Sequence, residues 1–307
     1  MFKNFSITII RWFDSSAVED SNEDKIDWTR IVPFILLHLA VIAVFWVGWS
    51  AIAVIFALAF YALRMFGITA FYHRYFSHKT FKTSRTAQFI FALIGASATQ
   101  RGPLWWASNH RHHHVHSDKA TDIHSPKQRG FLWSHMGWFL SKKNFKTNFE
   151  RIQDFAQFPE LKWIDRFDIV VPFVFAVFTF ILGVLLNWLS PELGTNGWQM
   201  FTWAYVISTI MVFHGTFLIN SLAHVIGTRR FKTRDDSRNN FILALITFGE
   251  GWHNNHHKFP GSAKHGLHCW EIDLSYYGLW MLEKLGIIWD VNKGPNKEQI
   301  QRALIAK

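Results

Sequence analysis

Residues 31–63 run for 33 positions without an Asp, Glu, Lys or Arg. As a helix this is about 50 Å at ~1.5 Å per residue, against a hydrocarbon core of about 30 Å, so one span cannot absorb it. Gly48-Trp49-Ser50 falls near the middle as a turn with an interfacial tryptophan, which predicts two helices, about 31–47 and 51–71. Residues 169–191 and 193–228 are further uncharged stretches, predicting helices at about 169–190 and 199–223. The pattern therefore predicts an all-α integral membrane protein with four transmembrane helices in two hairpins. Shorter uncharged runs at 86–100 and 241–249 are too brief to cross and suit interfacial helices.

The flanks read differently. Residues 1–30 hold a short apolar run, 5–13, broken by Arg11 and followed by an acidic patch at 14–27. The run lacks the length and small-residue cleavage site of a signal peptide and reads as an interfacial segment. Residues 31–281 form one membrane domain on this reading, and 282–307 a cytosolic tail. The stretch 296–307 is expected to form a short capped amphipathic helix that anchors the cap.

Charge fixes the orientation. The chain carries 32 Lys+Arg against 22 Asp+Glu, and residues 73–167 alone hold 15 against 6. The positive-inside rule places that segment, both termini and 229–238 in the cytoplasm, at the bacterial inner membrane or the endoplasmic reticulum. The basic surplus is then topological, and nucleic acid drops out as a partner. One cysteine, Cys269, cannot supply a disulfide, an iron–sulfur cluster or a zinc–cysteine knuckle, so any metal takes other ligands.

Seventeen histidines supply them. Three clusters sit at predicted helix ends: His73-Arg-Tyr-Phe-Ser-His78, His110-Arg-His-His113-His114 and His253-Asn-Asn-His256-His257. Neutral imidazole ligates iron, zinc and copper, and spacings of three and four put two rings on one helical face. The neighbours His113/His114 and His256/His257 diverge by about 100° on a helix, which suggests a dinuclear site. The i to i+5 spacing of His73 and His78 suits no regular helix face, so the helix is expected to end or bend between them. A ninth candidate is His224, one turn after Asn220 in Asn220-Ser-Leu-Ala-His224. His38 and His214 read as packing residues, and His112, His116, His124, His135, His265 and His268 as surface or outer groups without a partner at ligand spacing.

Thiolate-free, histidine-rich coordination does not by itself choose the metal. No nucleophile elbow or carboxylate pair suited to hydrolysis is evident, and the site adjoins spans that can shelter an apolar chain. An unactivated C–H bond has no acidic proton, so its cleavage needs a metal–oxygen oxidant rather than acid–base catalysis. Two other readings stand beside this one: a membrane di-iron hydroxylase or alkane monooxygenase, and a histidine-rich metal transporter. The transporter should carry its ligands inside the spans rather than at their ends.

The three histidine clusters, with Glu250-Gly-Trp before the third, Phe259-Pro260 after it and Ser134-His135-Met-Gly-Trp138 between, resemble the boxes of the membrane acyl-CoA desaturases of the stearoyl-CoA delta-9 type. The resemblance runs from about residue 60 to 270. It implies a four-helix stalk under a cytosolic helical cap holding two irons, for which zinc can substitute in recombinant protein. One iron would take His73, His78, His110, His114 and His256; the other would take His113, His224, His253 and His257, with Asn220 holding a water. The chemistry implied is insertion of a cis double bond at C9 of a saturated acyl thioester, with oxygen reduced to water. Reducing power would come from a ferredoxin, rubredoxin or cytochrome b5 type donor with its reductase, since no fused haem module follows the third box. Lys142 and Lys143 stand where the family grips the carrier's phosphates. Trp105 and Trp106 are expected on the wall of the acyl tunnel, and Ala57 and Tyr61 near its floor. Ser108-Asn109 replaces the Arg-Asp of the animal enzymes, so CoA, an acyl carrier protein and a lipid-bound chain all stay open as carriers.

Overall fold

The computed structural model describes residues 9–18 and 20–305. The start of the apolar run 5–13 and the last two residues of the tail lie outside the described residues. The principal helices are α1 (Val32–Val47), α2 (Ala51–Ser77), α3 (Arg85–Ala96), α4 (Pro103–His116), α5 (Pro159–Arg166), α6 (Val170–Leu189), α7 (Gly197–His224), α8 (Phe241–Ile246), α9 (His253–Lys258), α10 (Leu274–Lys284) and α11 (Lys297–Ile305). Strands β1 (Lys82–Thr83) and β2 (Ile288–Trp289) pair antiparallel.

Three of these helices, α2, α6 and α7, are long and apolar enough to cross a membrane. Four were expected. The 16 residues of α1 reach only about 24 Å, short of the ~30 Å core. Its break from α2 is the predicted turn: Gly48 takes φ +66°, and the Ser50 hydroxyl accepts the Ala53 N–H to cap α2. Trp46, Trp49, Trp188 and Trp198 are exposed near the same connections, as a girdle of interfacial tryptophans would be. Arg64 is a charge within the α2 span. It is fully buried, and its guanidinium donates to Ser208 and Thr209 on α7 while lying 5.0 Å from the Phe175 ring. The neutral hydroxyls satisfy a charge that an apolar span could not otherwise tolerate.

Above the spans, the last turns of α2 pack with α3, α4 and α5 around Tyr72, Phe76, Leu104, Leu161 and Ile164, all at most 1% exposed. The tail helix forms as expected. Asn296 and Gln299 exchange backbone–side-chain hydrogen bonds in a capping box, and Ala303 is buried.

Candidate metal centre

The end of α2 widens, and the helix stops at Ser77, between its two histidines as expected. Gly67–Ser77 is π-helical, and the His78 N–H donates to the His73 carbonyl at 3.2 Å. One extra residue per turn brings positions i and i+5 together, and the two rings lie 4.9 Å apart. The expected helix end is thus present, and the widening takes the place of a bend.

Helix α4 starts on Pro103, and the Asp165 carboxylate accepts the Trp105 N–H at 2.7 Å. From that anchored start it carries His110 and His114 to one side and His113 to another. His224 sits in a final 3-10 turn of α7. The six-residue α9 is too short to be stable alone, and its two asparagines fix it. Asn254 accepts the Phe231 N–H at 2.7 Å and Asn255 donates to the His265 carbonyl at 3.0 Å, leaving His253, His256 and His257 directed inward.

The nine imidazoles form two groups. Ring nitrogens of His73, His78, His110, His114 and His256 all lie within 4.8 Å of one another, as do those of His113, His224, His253 and His257. In the first group Nε2 of His256 is 3.0 Å from Nε2 of His73 and 2.9 Å from Nε2 of His114, and His78 and His110 are 2.8 Å apart through the same atoms. In the second, Nε2 of His253 and His224 are 3.0 Å apart.

Protons cannot account for this convergence. Nδ1 of His73 donates to Glu250 at 2.6 Å, and Nδ1 of His113, His224 and His257 face Asp122, Asp118 and Asp235 at 3.1, 3.0 and 2.8 Å. In a neutral ring the other nitrogen is then a bare lone pair. Nε2 of His113 and of His257 are buried and find no partner among the described residues. Burial, reinforced by the neighbouring rings, holds His78, His110, His114, His253 and His256 well below the ordinary histidine range. Burial likewise lowers His257 to about 4, against the pull of Asp235. Lone pairs aimed at common points need a cation. Two nitrogens bound at right angles to an ion ~2.1 Å away stand about 3.0 Å apart, the spacing found here. The nitrogen donor set, free of sulfur, fits iron as well as zinc or copper.

The carboxylates are the part that spacing did not reveal. Asp122 and Asp118 are driven below the usual carboxylate range although burial opposes it, because His113 and His224 bond them; Asp235 is lowered in the same way by His257. Such partners fix ring orientation and raise ligand basicity. Glu250 is shared between His73 and the buried Arg74, which also bonds Asp273 at 2.9 Å. Gly249, at φ +114°, makes room for this junction, since a Cβ there would strike the Asp273 carboxylate. Two outer histidines join in. His265 is 1% exposed and groups with His73 and Glu250, while His124, 4% exposed, groups with His113 and Asp122. His135 is buried against His214 at 3.0 Å, whereas His268 is exposed. His38 packs as expected, its Nδ1 2.8 Å from the Phe34 carbonyl.

Two cavities reach the imidazole groups. The larger, about 300 Å³, runs from Trp12, Arg30 and Arg101 past Trp105 and Phe213 to His110 and Asn220. A smaller one of about 40 Å³ continues between Ile68, Thr69 and Thr247 and touches both imidazole groups. Trp106, His110, Thr216 and Asn220 line both. The structure thus brings Trp105, Trp106 and Asn220 to the cavities, with Trp106 stacked on His110 at 5.0 Å. Ala57 and Tyr61 line neither. Ala57 is buried in α2, and the Tyr61 hydroxyl donates to the Ile246 carbonyl, just past the Thr247 that borders the smaller cavity. Lys142 and Lys143 also stand apart from both cavities; they are paired at 3.0 and 4.0 Å with Glu23 and Asp24.

A family model described as fatty acid desaturase matches residues 48–278. The sn-2 palmitoyl-lipid 9-desaturase of Nostoc sp. (strain 36) is 32% identical, covering 92% of this chain and 96% of that protein. The sn-1 stearoyl-lipid 9-desaturase of Anabaena variabilis is 33% identical over 92% of this chain and 100% of its own length. The icosanoyl-CoA 5-desaturase of Limnanthes douglasii is 35% identical over 90% of this chain and 75% of its own length.

Proposed function

Because the chain belongs to the fatty acid desaturase family, we propose that it is an oxygen-dependent desaturase that inserts a cis double bond, at C9, into a saturated acyl chain. The observation that carries this reading is the two imidazole groups bordering an apolar cavity that ends on His110 and Asn220. Two irons would be held by the two groups, one by His73, His78, His110, His114 and His256, the other by His113, His224, His253, His257 and, through water, Asn220. Zinc would bind the same nitrogens but lacks redox chemistry. When bound, the irons supply the oxidant that removes two hydrogens from adjacent methylenes, while O2, two electrons and two protons become two waters.

The protein's own contribution is positional. The cavity walls, Trp105, Phe213 and Phe217 among them, exclude water and hold the chain extended. Trp106 and Thr216 stand where the two cavities meet, so they fix which methylenes pass between the imidazole groups. The distance from the outer end to that junction sets the position of the double bond. Relatives described as 5-desaturases and 9-desaturases share this framework, so position is a matter of wall and anchor residues.

The wider reading follows the same family logic. Helix α1 completes a four-helix stalk with α2, α6 and α7 as two hairpins. Residues 1–30 lie at the interface, 31–281 form the membrane domain and 282–307 the tail. The cap faces the cytoplasm, where a ferredoxin, rubredoxin or cytochrome b5 type donor delivers electrons. The test is expression in a host lacking its own desaturase, with double-bond mapping in total fatty acids beside a His256→Ala control. Unsaturated product from the parent alone supports the reading. Unchanged lipids with verified expression overturn it, and an alcohol product would point to a hydroxylase.

A further inference from the structure

The outer end of the larger cavity holds a feature that desaturation itself does not use. Arg30 and Arg101 both line it, and each has a buried Nη1 with no hydrogen-bond partner among the described residues. Arg101 is tied down by Asp168 at 2.5 Å and by the Phe145 carbonyl at 2.9 Å, so its free donor is held in one orientation. Arg30 lies 4.5 Å over the Phe145 ring, which places the two guanidiniums on a shared aromatic support. Burial, and next the charge of Arg101, lowers Arg30 to about 9. Among the described residues, Asp27 and Asp168 attract the Arg30 guanidinium, and Arg101 and Arg11 repel it.

Buried guanidinium donors without acceptors are costly, and planar N–H forks suit phosphate oxygens. The location narrows the source. Arg30 stands two residues before α1 and Asp168 two before α6, at the level where the apolar helices begin. Ile31, Pro33, Phe34 and Leu37 of the α1 region continue the wall inward from Arg30. An anion at the membrane boundary with its apolar chain running into the protein is the geometry of a lipid lying in the leaflet. The exposed Lys142 and Lys143, by contrast, are neutralised by acidic side chains away from the cavities.

We propose that Arg30 and Arg101 form a phosphate-binding mouth, and that it takes the headgroup phosphate of a glycerophospholipid whose acyl chain fills the cavity. The proposal rests on the desaturase reading. A phosphodiester could also arrive on acyl-CoA, so the test separates the two sources.

The full-length chain in neutral-detergent micelles is titrated with dipalmitoyl phosphatidylglycerol, palmitoyl-CoA and dipalmitoylglycerol, with affinities read by native mass spectrometry. Phosphatidylglycerol is expected to bind more tightly than dipalmitoylglycerol. Arg30→Gln and Arg101→Gln should each weaken it by about tenfold to a hundredfold, the worth of a charge-assisted hydrogen bond, without changing dipalmitoylglycerol. Arg30→Gln breaks no ion pair among the described residues and guards against misfolding in the Arg101 variant. Unchanged phosphatidylglycerol affinity in Arg30→Gln overturns the proposal. So does tighter binding of palmitoyl-CoA that depends on Lys142 and Lys143 rather than on the arginines. If the mouth fails in this way while expressed protein still makes unsaturated fatty acids, the desaturase reading stands; absence of any unsaturation sinks that reading instead.

Discussion

The two imidazole groups sit side by side but are supported differently. In the group of His113, His224, His253 and His257, three of four rings have an aspartate of their own on Nδ1. In the group of His73, His78, His110, His114 and His256, only His73 has a carboxylate there among the described residues, and Glu250 is shared with Arg74. One group is held by anions, the other mainly by the close packing of its five rings. Anionic partners raise ligand basicity and offset the charge of a bound cation, so the aspartate-backed group should grip its ion more strongly and favour the higher charge. The five-ring group should lose its ion first.

The largest effects come from removing ligands. His256→Ala and His257→Ala alter adjacent residues of α9 that serve different groups. Each is expected to abolish desaturation and to lower bound metal from about two ions per chain to about one, as dinuclear binding requires. Chelator titration monitored by plasma emission should then show a tightly held ion in His256→Ala and a loosely held one in His257→Ala. Equal release from the two variants would break the contrast between the groups.

Removing the support should cost less. Asp235→Asn keeps an acceptor for His257 but loses the charge, and about ten- to a hundredfold weaker metal retention is expected. Glu250→Gln should weaken retention similarly and also lower Tm, because it strips one of two carboxylates from the buried Arg74. A drop in Tm of the metal-free protein for Glu250→Gln but not for Asp235→Asn would separate a structural carboxylate from one that serves the metal alone.

Helix α4 feeds both groups, and Asp165 at its start provides a change that should not discriminate between them. Burial pushes this carboxyl up to about 6. A folded-state value above the unfolded one, 3.8, means the native protein holds the proton longer. The contribution of Asp165 to stability is therefore greatest below about pH 4, falls as pH rises through 6, and is level above it. Asp165→Asn still accepts the Trp105 N–H and should abolish this slope, on the order of 3 kcal/mol across that window. Denaturant unfolding of metal-free protein at several pH values checks it, and equal metal loss from both groups in the variant would leave the contrast intact.

How much of this could be read in advance follows from what spacing encodes. The nine imidazoles were legible because helical periodicity converts intervals of three and four, and the divergence of neighbours, into direction. That His73 and His78 belong to one cluster was legible, but its geometry was not, since a π-helix leaves no mark in an interval of five. The aspartates were not legible: Asp118, Asp122 and Asp235 lie in irregular segments whose course depends on tertiary contacts, such as the Asp236 N–H donating to Asp118. The 16-residue length of α1 was not legible, because absence of charge measures an apolar stretch, not the helix within it. Arg30 and Arg101 look like ordinary boundary charges until the cavity shows what faces them.

The smallest effect should come from a site touching neither group. The smaller cavity borders His73 and His110 of one group and His113 and His253 of the other, then ends near Thr247, with Tyr61 behind it. A chain threaded past both groups stops where that wall stops. Tyr61→Ala removes a ring and its bond to the Ile246 carbonyl, so the cavity deepens while both imidazole groups keep their partners. Metal content and turnover should stay within a few-fold, and the ratio of longer to shorter product should rise by about tenfold, the discrimination a pocket exerts per methylene or two. Tyr61→Phe, which keeps the volume, should leave the ratio near that of the parent. Gas chromatography of the products decides the matter: an unchanged profile in Tyr61→Ala would place the end of the acyl chain elsewhere, whereas a changed profile with altered metal content would mean that the wall and the imidazole groups are mechanically coupled.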